Sequence, residues 1–413
     1  MLKGLPYARA MCGGYRGLFK HVWSTYKKEG ISGIKRRIAF SASPGAPPPV
    51  IGYVESNHND YPGTILMDYT SAFTKMTRSL VEKKTFAAQP FTLLDVGCSG
   101  GISPFWRIFD PSLVALGIDP VVNECERLNA KEVSSNVRYR PAFVGLPDQH
   151  PFVQKRGNNE PWGGNPWNRL SAQFATDILK SKTREEDKLS VLNDWQGSGL
   201  ADPKSKIGVD DLVREEKLSG LDFIKVDVDG YDLDVILSAE NSAQNSPVLG
   251  FTLEVNFYGS TADTDHTFHN TDKLMRQWGF DLFGLSMRRY SAAALPAPFE
   301  WDGPAQTLFG RPYQGDAVYL RDPMAAGTRG GAQSPPLSPH KLLKLACLFE
   351  CFGLPDHAAE LIQANAPSLL TLCNPHELLN ILATEVDPSV SSYAEYIEKF
   401  ISDPTAFYRS RRS

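Results

Sequence analysis

Short apolar runs recur along the middle of the chain, and the stretches between them have the spacing of helices. Seven such runs lie at 91–96, 113–118, 137–144, 222–228, 248–255, 280–285 and 316–321. Unbroken apolar runs of this length are typical of strands that are buried on both faces. Because strands and helices alternate, the pattern predicts an α/β fold with a mostly parallel sheet covered on both sides. The folded body is expected to start near Val50, with one further helix at 66–83.

One long segment interrupts this alternation. Residues 146–206 are rich in Pro, Gly, Asn and Trp, and they are far longer than the roughly 2–6 residues that usually connect a strand and a helix in such folds. They predict an insertion, which is either a lid over the sheet or a decoration outside the site.

The C-terminal part of the chain has a different pattern. Residues 324–338 are a linker rich in Gly, Pro and Ser, and four stretches within 339–413 show amphipathic helical spacing. These features predict a small α-helical module whose default role is to bind a protein partner. Cys347 and Cys351 lie one helical turn apart among Leu and Phe, so we expect them in a core rather than on a metal.

The composition is that of an ordinary globular protein. The 413 residues are 42% hydrophobic and 22% charged, which excludes a disordered chain and a small disulfide scaffold. The six cysteines are scattered without a CxxC pair, which argues against structural zinc and for a reducing compartment. No apolar run approaches the roughly 18–20 residues that a membrane-spanning helix needs. We therefore expect a cytoplasmic protein.

The net charge of −4 hides an asymmetry. Residues 1–40 contain nine Lys or Arg and one acid, so this arm carries +8 and the rest of the chain −12, and residues 41–49 form a Pro-rich linker. A basic arm with interleaved aromatic residues could contact the inner face of an anionic membrane, bind an acidic partner or be a transit peptide. It could equally be a solvated helical extension. The acidic body argues against nucleic acid as a partner.

A glycine-rich turn follows the first apolar run. The sequence there is LLDVGCSGGI at 93–102, and the second run ends in Asp119, 22 residues after Gly97. Glycine after a first strand lets a ligand approach the backbone, and an acid at the end of the second strand can bind both hydroxyls of a ribose. Together they predict a nucleoside-containing cofactor at the carboxyl edge of the sheet.

The spacing within the turn narrows the cofactor. A dinucleotide fingerprint requires glycines where this chain has Ser99 and Ile102, so a pyrophosphate is disfavoured. Asp95, Gly97 and Gly101 resemble motif I of class I S-adenosylmethionine-dependent methyltransferases, and Asp119 lies at the matching distance.

A second motif resembles the FkbM family of these methyltransferases. The matching residues are Asp210, Asp211, Leu212, Asp222, Ile224, Lys225, Asp227, Asp229, Gly230 and Asp232. The resemblance covers about residues 90–320 and implies a Rossmann-like sheet of seven strands with an antiparallel last strand, and O-methyltransferase activity. The chain departs from the family at Asp229, where Glu is common, and in the insertion at 146–206, which leaves the substrate open.

The cofactor site follows from these positions. We expect Gly97, Ser99 and Gly101 to contact S-adenosylmethionine and Asp119 to bind its ribose, the alternative for Asp119 being a cap before Pro120. Asp95 is expected to fix the amides of the turn or the amino-acid end of the cofactor, or else to cap a helix. In addition, Phe143 is a candidate to flank the adenine, which core packing would explain equally well.

The catalytic candidates lie at the ends of the fourth and fifth runs. Lys225 and Asp227 are two residues apart, so they share a face and point at one pocket, unless they form only a structural ion pair. His266 or His269 is the expected base, with Asp227 as competitor. Glu254 and Asn256, at the end of the fifth run, are further candidates to lie near the acceptor oxygen.

A metal site is a minority hypothesis. Asp227 and Asp229, with Asp232, resemble a carboxylate set for Mg²⁺. Three acids in six residues are more often a solvated turn.

The acceptor is suggested by the insertion. It holds Trp162, Trp167 and Trp195 together with Asn158, Asn159, Asn165 and Asn168, a combination of flat apolar faces and amides that suits a sugar. We therefore expect methylation of a hydroxyl on a surface polysaccharide or lipid-linked glycan. The alternatives are a small-molecule methyltransferase of secondary metabolism and a non-catalytic scaffold.

Overall fold

The structure is a computed structural model that describes residues 73–157, 199–218, 220–228, 230–290, 311–325 and 335–404. Several sequence predictions lie outside these residues. They are the basic arm, its linker, the start of the predicted helix at 66–83, most of the insertion with its Trp and Asn residues, and Asp229.

A seven-stranded sheet forms the centre of the described residues. Its strand order is β3-β2-β1-β4-β5-β7-β6, and only β7 runs antiparallel to its neighbours. The bounds are β1 Phe91–Val96, β2 Leu113–Asp119, β3 Val137–Pro141, β4 Phe223–Val226, β5 Gly250–Asn256, β6 Asp281–Tyr290 and β7 Arg311–Leu320. Each strand coincides with one of the seven apolar runs. The predicted Rossmann-like fold, with its antiparallel last strand, is therefore confirmed.

Helices cover both faces of this sheet. They are α1 Lys75–Glu82, α2 Val122–Lys131, α3 Pro151–Arg156, α4 Val209–Glu215, α5 Asp232–Leu237, α6 Glu240–Asn245, α7 Phe268–Gln277, α8 Pro339–Cys351, α9 Pro355–Ala364, α10 Ala366–Leu369, α11 Pro375–Val386 and α12 Tyr393–Ser402, with 3₁₀ turns at Trp106–Phe109 and Pro323–Ala325. Among the helices described, none combines the length and the apolar character that crossing a membrane requires.

The helices of the C-terminal segment pack directly on the sheet. Leu345 and Phe349 of α8 belong to the same buried cluster as Phe91 and Phe223 of the sheet, and the ring of Phe352 lies 5.9 Å from that of Phe223. The segment that was predicted as a separate module therefore shares one hydrophobic core with the sheet. The prediction that Cys347 and Cys351 are core residues is confirmed, because both thiols are buried there.

One face of the sheet changes character along the strands. Side chains two residues apart on a strand share a face. Every second row of register partners across the strands therefore shows which side chains this face carries. The row of Leu93, Phe223 and Leu320 is apolar and joins the core with the tail helices. Two residues further on, the row contains Asp95 and Lys225. The tail thus covers the amino-terminal half of this face, and polar side chains occupy the carboxyl-terminal half.

A buried ion cluster attaches α8 to the start of β4. Lys341 Nζ lies 2.7 Å from Asp222 Oδ1, and Lys344 Nζ lies 2.8 Å from Asp222 Oδ2. Both amines also donate to main-chain carbonyls, of Leu221 at 2.8 Å and of Pro90 at 2.7 Å. Since all three charged side chains are buried, this cluster fixes the tail helix to the strand ends opposite the carboxyl edge.

Candidate active site

The carboxyl ends of β1 and β4 form the topological switch point of the sheet. The chain runs from β1 to β2 on one side, whereas β4 pairs with β1 on the other. In open α/β sheets the crevice outside such a point is where ligands bind. The glycine-rich turn lies directly at the end of β1.

Gly97 is required by the neighbouring strand. It has φ +82°, and a Cβ added there would lie 1.8 Å from the carbonyl oxygen of Asp227. The sequence suggested that this glycine leaves room for a ligand, but the carbonyl group of Asp227, directly after β4, occupies the space of a Cβ. Gly100 also has positive φ, +85°, yet a Cβ there would meet nothing within 4 Å. The open part of the turn is therefore Ser99 and Gly100, both of which are exposed.

Hydrogen bonds hold the turn to its surroundings. The amides of Gly97 and Cys98 both donate to the carbonyl of Ile118, at 2.8 and 3.2 Å. At the tip, the amide of Gly100 donates to Glu124 Oε1 at 3.1 Å. The turn ends at Gly101, beside Leu128 and Tyr139. The amide of the following residue, Ile102, donates to Tyr139 Oη at 3.1 Å. The turn is thus a built structure, fixed to β2, α2 and β3.

Asp119 lies where the sequence placed it. It is the last residue of β2 and is buried, and its Oδ1 accepts a hydrogen bond from the amide of Val121 at 2.8 Å. Burial raises the pKa of this carboxyl, and the hydrogen bond from Val121 opposes the rise. The contact to Val121 is the local capping contact that was the alternative prediction, and it occupies one of the two carboxylate oxygens.

The described end of the insertion crosses the ends of β2 and β3. The amide of Val122 donates to the carbonyl of Gly199 at 3.0 Å, and that of Ala201 donates to the carbonyl of Pro120 at 2.8 Å. Further on, the amide of Ile207 donates to the carbonyl of Phe143, also at 3.0 Å. Phe143 is half-buried. The insertion therefore returns to the sheet beside two of the predicted cofactor residues.

The other end of the insertion is fixed as well. Arg156, at the end of α3, forms a bidentate pair with Asp234 of α5 at 2.5 and 2.7 Å, and both side chains are buried. The sequence analysis did not single out either residue, because an Arg and an Asp so far apart in the chain form no recognisable motif.

Lys225 ties β4 to the turn after β1. Its Nζ donates to the carbonyl of Gly97 at 2.7 Å and lies 3.3 Å from Asp95 Oδ1 and 3.6 Å from Asp227 Oδ2. Burial opposes its charge, but the attraction of Asp95 and Asp227 outweighs burial and raises the pKa of Lys225. These contacts are those of a charged residue that positions the turn, and they include the structural ion pair considered from the sequence.

Asp95 has a different partner from those expected. It is buried and pairs with Lys225, and no amide of the turn donates to it among the described residues. Burial raises the pKa of this carboxyl, while Lys225 opposes the rise. Asp95 thus acts on the turn indirectly, through the lysine that holds the carbonyl of Gly97.

The structure separates the two histidines. His266 is fully buried; its Nε2 lies 3.1 Å from the carbonyl oxygen of Glu254, and its Nδ1 lies 3.3 Å from Asn256 Nδ2 and 3.4 Å from Asp232 Oδ2. Both ring nitrogens therefore have protein neighbours. His269 lies in the first turn of α7 and is exposed. The sequence analysis expected one of the two, His266 or His269, to be the base, and that assignment stays a prediction.

Glu254, Arg288 and Asp316 form a buried charged group that the sequence analysis largely missed. Arg288 Nη2 lies 2.9 Å from Glu254 Oε1 and 3.4 Å from Asp316 Oδ1. Burial and the nearby carboxylates raise the pKa of Glu254 well above its ordinary value, opposed by Arg288. Asp316, the charged first residue of the run at 316–321, was the available signal, whereas Arg288 lies beyond the run at 280–285.

The described residues give no support to the metal hypothesis. Within the part of the chain that the structure describes, no group of three or more His, Cys, Asp or Glu side chains could hold a metal ion. Asp232 also has both oxygens in use, since they accept hydrogen bonds from the amides of Val228 and Gly230 at 3.0 Å. Asp229 itself lies outside the described residues.

A cavity of about 440 Å³ opens on the other side of the turn. It is lined by Gly100, Gly101, Ile102, Arg107, Asp110, Arg127, Leu128, Lys131, Glu132, Val133 and Tyr139. None of Asp119, Lys225 or Asp227 lines it, so it is distinct from the switch-point crevice.

Comparisons with known proteins found a family match and structural neighbours. Residues 118–282 match the family described as the methyltransferase FkbM domain, and no curated protein matches the chain. The chain is similar in structure to a TehB-like SAM-dependent methyltransferase from Corynebacterium glutamicum ATCC 13032 Kitasato, with 12% identity, 60% of this chain and 88% of that chain covered, and a TM-score of 0.23. It is also similar to human methyltransferase-like protein 13 in complex with SAH, with 11% identity, coverages of 72% and 93%, and a TM-score of 0.28. The assignment rests on the family match and the strand order.

Proposed function

Through residues 118–282 the chain belongs to the FkbM family of S-adenosylmethionine-dependent methyltransferases, and on that premise we propose that it methylates a hydroxyl of a sugar or glycan. The observation that carries the proposal is the switch-point crevice. An exposed glycine turn follows β1 there, and a buried acid, Asp119, ends β2.

Each residue of the crevice has a role in this proposal. Ser99 and Gly100 at the tip of the turn face the amino-acid end of the cofactor, and Asp119 binds the ribose with its second oxygen. Lys225 holds the turn in place through the carbonyl of Gly97. The end of the insertion, with Phe143, borders the adenine.

The acceptor lies over the ends of β4 and β5. Asp227 there keeps 31% of its side chain exposed, so a group from solvent can reach it. S-adenosylmethionine supplies an electrophilic methyl, and the protein aligns the acceptor oxygen with that methyl and the sulfur. Such alignment can contribute roughly 7–11 kcal/mol to catalysis.

Carboxylates on the acceptor side favour a hydroxyl-bearing acceptor. Ionised carboxylates are pure hydrogen-bond acceptors, and a sugar offers several donors in a small volume. A glycan or lipid-linked acceptor made at the inner face of a membrane would also give the basic arm at 1–40 a role. The helical tail keeps its exposed surface for a protein partner.

The proposal is tested with the full-length chain and two variants. Calorimetry with S-adenosylmethionine and S-adenosylhomocysteine should show binding, and Asp119→Ala should weaken it at least tenfold. The Glu398→Ala variant, at an exposed position of α12, serves as control and should bind like the wild type. Labelled cofactor should then transfer its methyl to a glycan fraction. Absence of cofactor binding at millimolar concentration would contradict methyl transfer, and labelling of non-glycan small molecules alone would contradict the acceptor.

A further inference from the structure

One carboxylate oxygen at the acceptor side has no donor. Glu254 Oε1 accepts a hydrogen bond from Arg288 at 2.9 Å, whereas Oε2 is buried and has no hydrogen-bond partner within the described part of the chain. Only 6% of this side chain is exposed. A buried acceptor that is left without a donor carries a free-energy cost. This cost indicates a site where a ligand supplies the donor.

Glu254 lies next to Asp227 on the polar half of the face. Val226 and Leu253 are register partners on β4 and β5, and Asp227 and Glu254 each follow by one residue. Both therefore point to the same side of strands that lie about 4.8 Å apart. Since Asp227 is partly exposed, the pair is open to solvent at Asp227 and closed at Glu254. The pair therefore joins a solvent-accessible carboxylate to a buried one.

The other candidate bases are occupied. Both ring nitrogens of His266 have buried protein neighbours, and Lys225 is held by the carbonyl of Gly97 and by two carboxylates. Asp232 accepts two backbone amides. Of His266, Lys225, Asp232 and Glu254, it is Glu254 that has an acceptor oxygen, Oε2, without a donor.

We infer that Glu254 Oε2 binds the acceptor hydroxyl beside the transferred methyl and takes its proton, with Asp227 as the second contact. This inference rests on the proposed function. In the step, the hydroxyl proton moves to Oε2 and the acceptor oxygen forms a bond to the methyl carbon. The methyl–sulfur bond breaks, and its electron pair stays on sulfur, which leaves as a neutral thioether. Burial and the neighbouring carboxylates raise the pKa of Glu254, and Arg288 opposes the rise.

The first test needs no acceptor. Sinefungin carries a cationic amine near the position of the transferred methyl, whereas S-adenosylhomocysteine is neutral there, so the ratio of their dissociation constants measures the negative charge at that position. We expect the wild type to prefer sinefungin at least tenfold. Glu254→Gln should reduce this preference at least fivefold and change the affinity for S-adenosylhomocysteine less than twofold. Glu254→Asp keeps the negative charge that pairs with Arg288 but shortens the side chain by one methylene. It should reduce the preference for sinefungin at least twofold.

The matched control is Glu240→Gln, because Glu240 is exposed on α6, and it should keep the wild-type ratio. Thermal unfolding identifies any variant that does not fold, in which case the other Glu254 variant gives the result. An unchanged ratio in the folded Glu254 variants would overturn the inference and leave the proposed function standing. A wild type that binds neither ligand would refute the proposed function, and the inference with it.

The second test measures the proton step. With the glycan fraction that the wild type labels, Glu254→Gln should lower kcat at least 100-fold at neutral pH and leave the KM for S-adenosylmethionine within twofold. A smaller loss at high pH, where hydroxide can replace the base, would support a base rather than a structural role. Full turnover of the variant would overturn the inference.

Discussion

The carboxylate of Glu350 caps the start of α1 at Thr77. Its Oε2 accepts a hydrogen bond from the amide of Thr77 at 2.8 Å and one from the Thr77 hydroxyl at 2.5 Å, while Oε1 accepts the amide of Met76 at 2.7 Å. Glu385 completes the cap, since it accepts the amides of Thr74 and Lys75. Four orphan amides of a helix start are thus satisfied by two carboxylates of the tail.

Removal of the Glu350 carboxylate should destabilise the whole protein. Glu350→Ala leaves two amides and a hydroxyl buried without an acceptor, so we expect a loss of about 2–5 kcal/mol in the free energy of unfolding. Urea unfolding followed by circular dichroism measures it. Glu360→Ala, at an exposed position of α9, should change the free energy by less than about 0.5 kcal/mol. Equal effects of the two variants would contradict the capping role.

Glu350 should also make stability depend on pH. Burial raises its pKa to about 7, opposed by the hydrogen bonds from Thr77 and Met76. Between its ordinary pKa of 4.5 and 7, the folded state keeps a proton that the unfolded chain releases. The free energy of unfolding should therefore fall as pH rises through this window, by up to ~3 kcal/mol. Glu350→Gln cannot titrate, so a wild type and a variant with parallel pH profiles would contradict this assignment.

Asp222 should be more costly to remove alone than together with its lysines. Asp222→Asn leaves Lys341 and Lys344 buried without a counter-charge, and we expect a loss of about 3–5 kcal/mol. A triple variant with Asp222→Leu, Lys341→Met and Lys344→Met removes all three charges and should recover most of that loss. Chemical denaturation of both variants checks this. A triple variant that is less stable than Asp222→Asn would contradict this expectation. It would show that the cluster stabilises the fold through more than the mutual neutralisation of its charges.

Of the three glycines of the turn with positive φ, Gly97 and Gly100 should respond differently to alanine. Gly97→Ala forces a Cβ into the carbonyl of Asp227, so it should cost more than about 3 kcal/mol and abolish cofactor binding. Gly100→Ala meets no neighbour and pays only for its positive φ, about 1–2 kcal/mol. Thermal unfolding and calorimetry with S-adenosylhomocysteine separate the two. Equal losses would show that Gly97 is not specifically constrained by β4.

Deletion of residues 339–413 should expose the apolar half of one sheet face. The rows around Phe91 and Phe223 would lose the cover that Leu345 and Phe349 provide, so we expect the truncated chain to aggregate. Soluble yield and size-exclusion chromatography measure this. A soluble, folded, monomeric truncation would favour the sequence prediction of an independent module.

The strands could be predicted because their apolar runs are unbroken. Each of the seven runs became a strand, and β1 has the bounds that were expected, Phe91–Val96. The glycine turn and Asp119 were also predictable, since their chemistry and spacing depend on residues close in sequence. The sequence could not show that the Cβ space of Gly97 belongs to Asp227, because that approach involves another strand.

The tail and the charged group at the acceptor side were less predictable for a shared reason. Helical spacing indicates that α8 has an apolar face, but it does not say what that face contacts. Lys341, Lys344 and Glu350 would each be assigned to solvent by residue type, yet all three are buried. Their partners are 120 residues or more away in sequence. Charge pairs over such separations leave no local pattern.

The cap on α1 links the order of synthesis to the order of folding. Thr77 and Glu350 are 273 residues apart, and Thr74 and Glu385 are 311 apart. A ribosome makes α1 before these carboxylates, so the amides of its first turn lack the Glu350 carboxylate until 273 more residues have been added after Thr77. Contacts of such separation slow folding, and the uncovered face of the sheet is exposed to chaperones meanwhile. The nascent chain can therefore complete its catalytic domain only after the tail has left the exit tunnel.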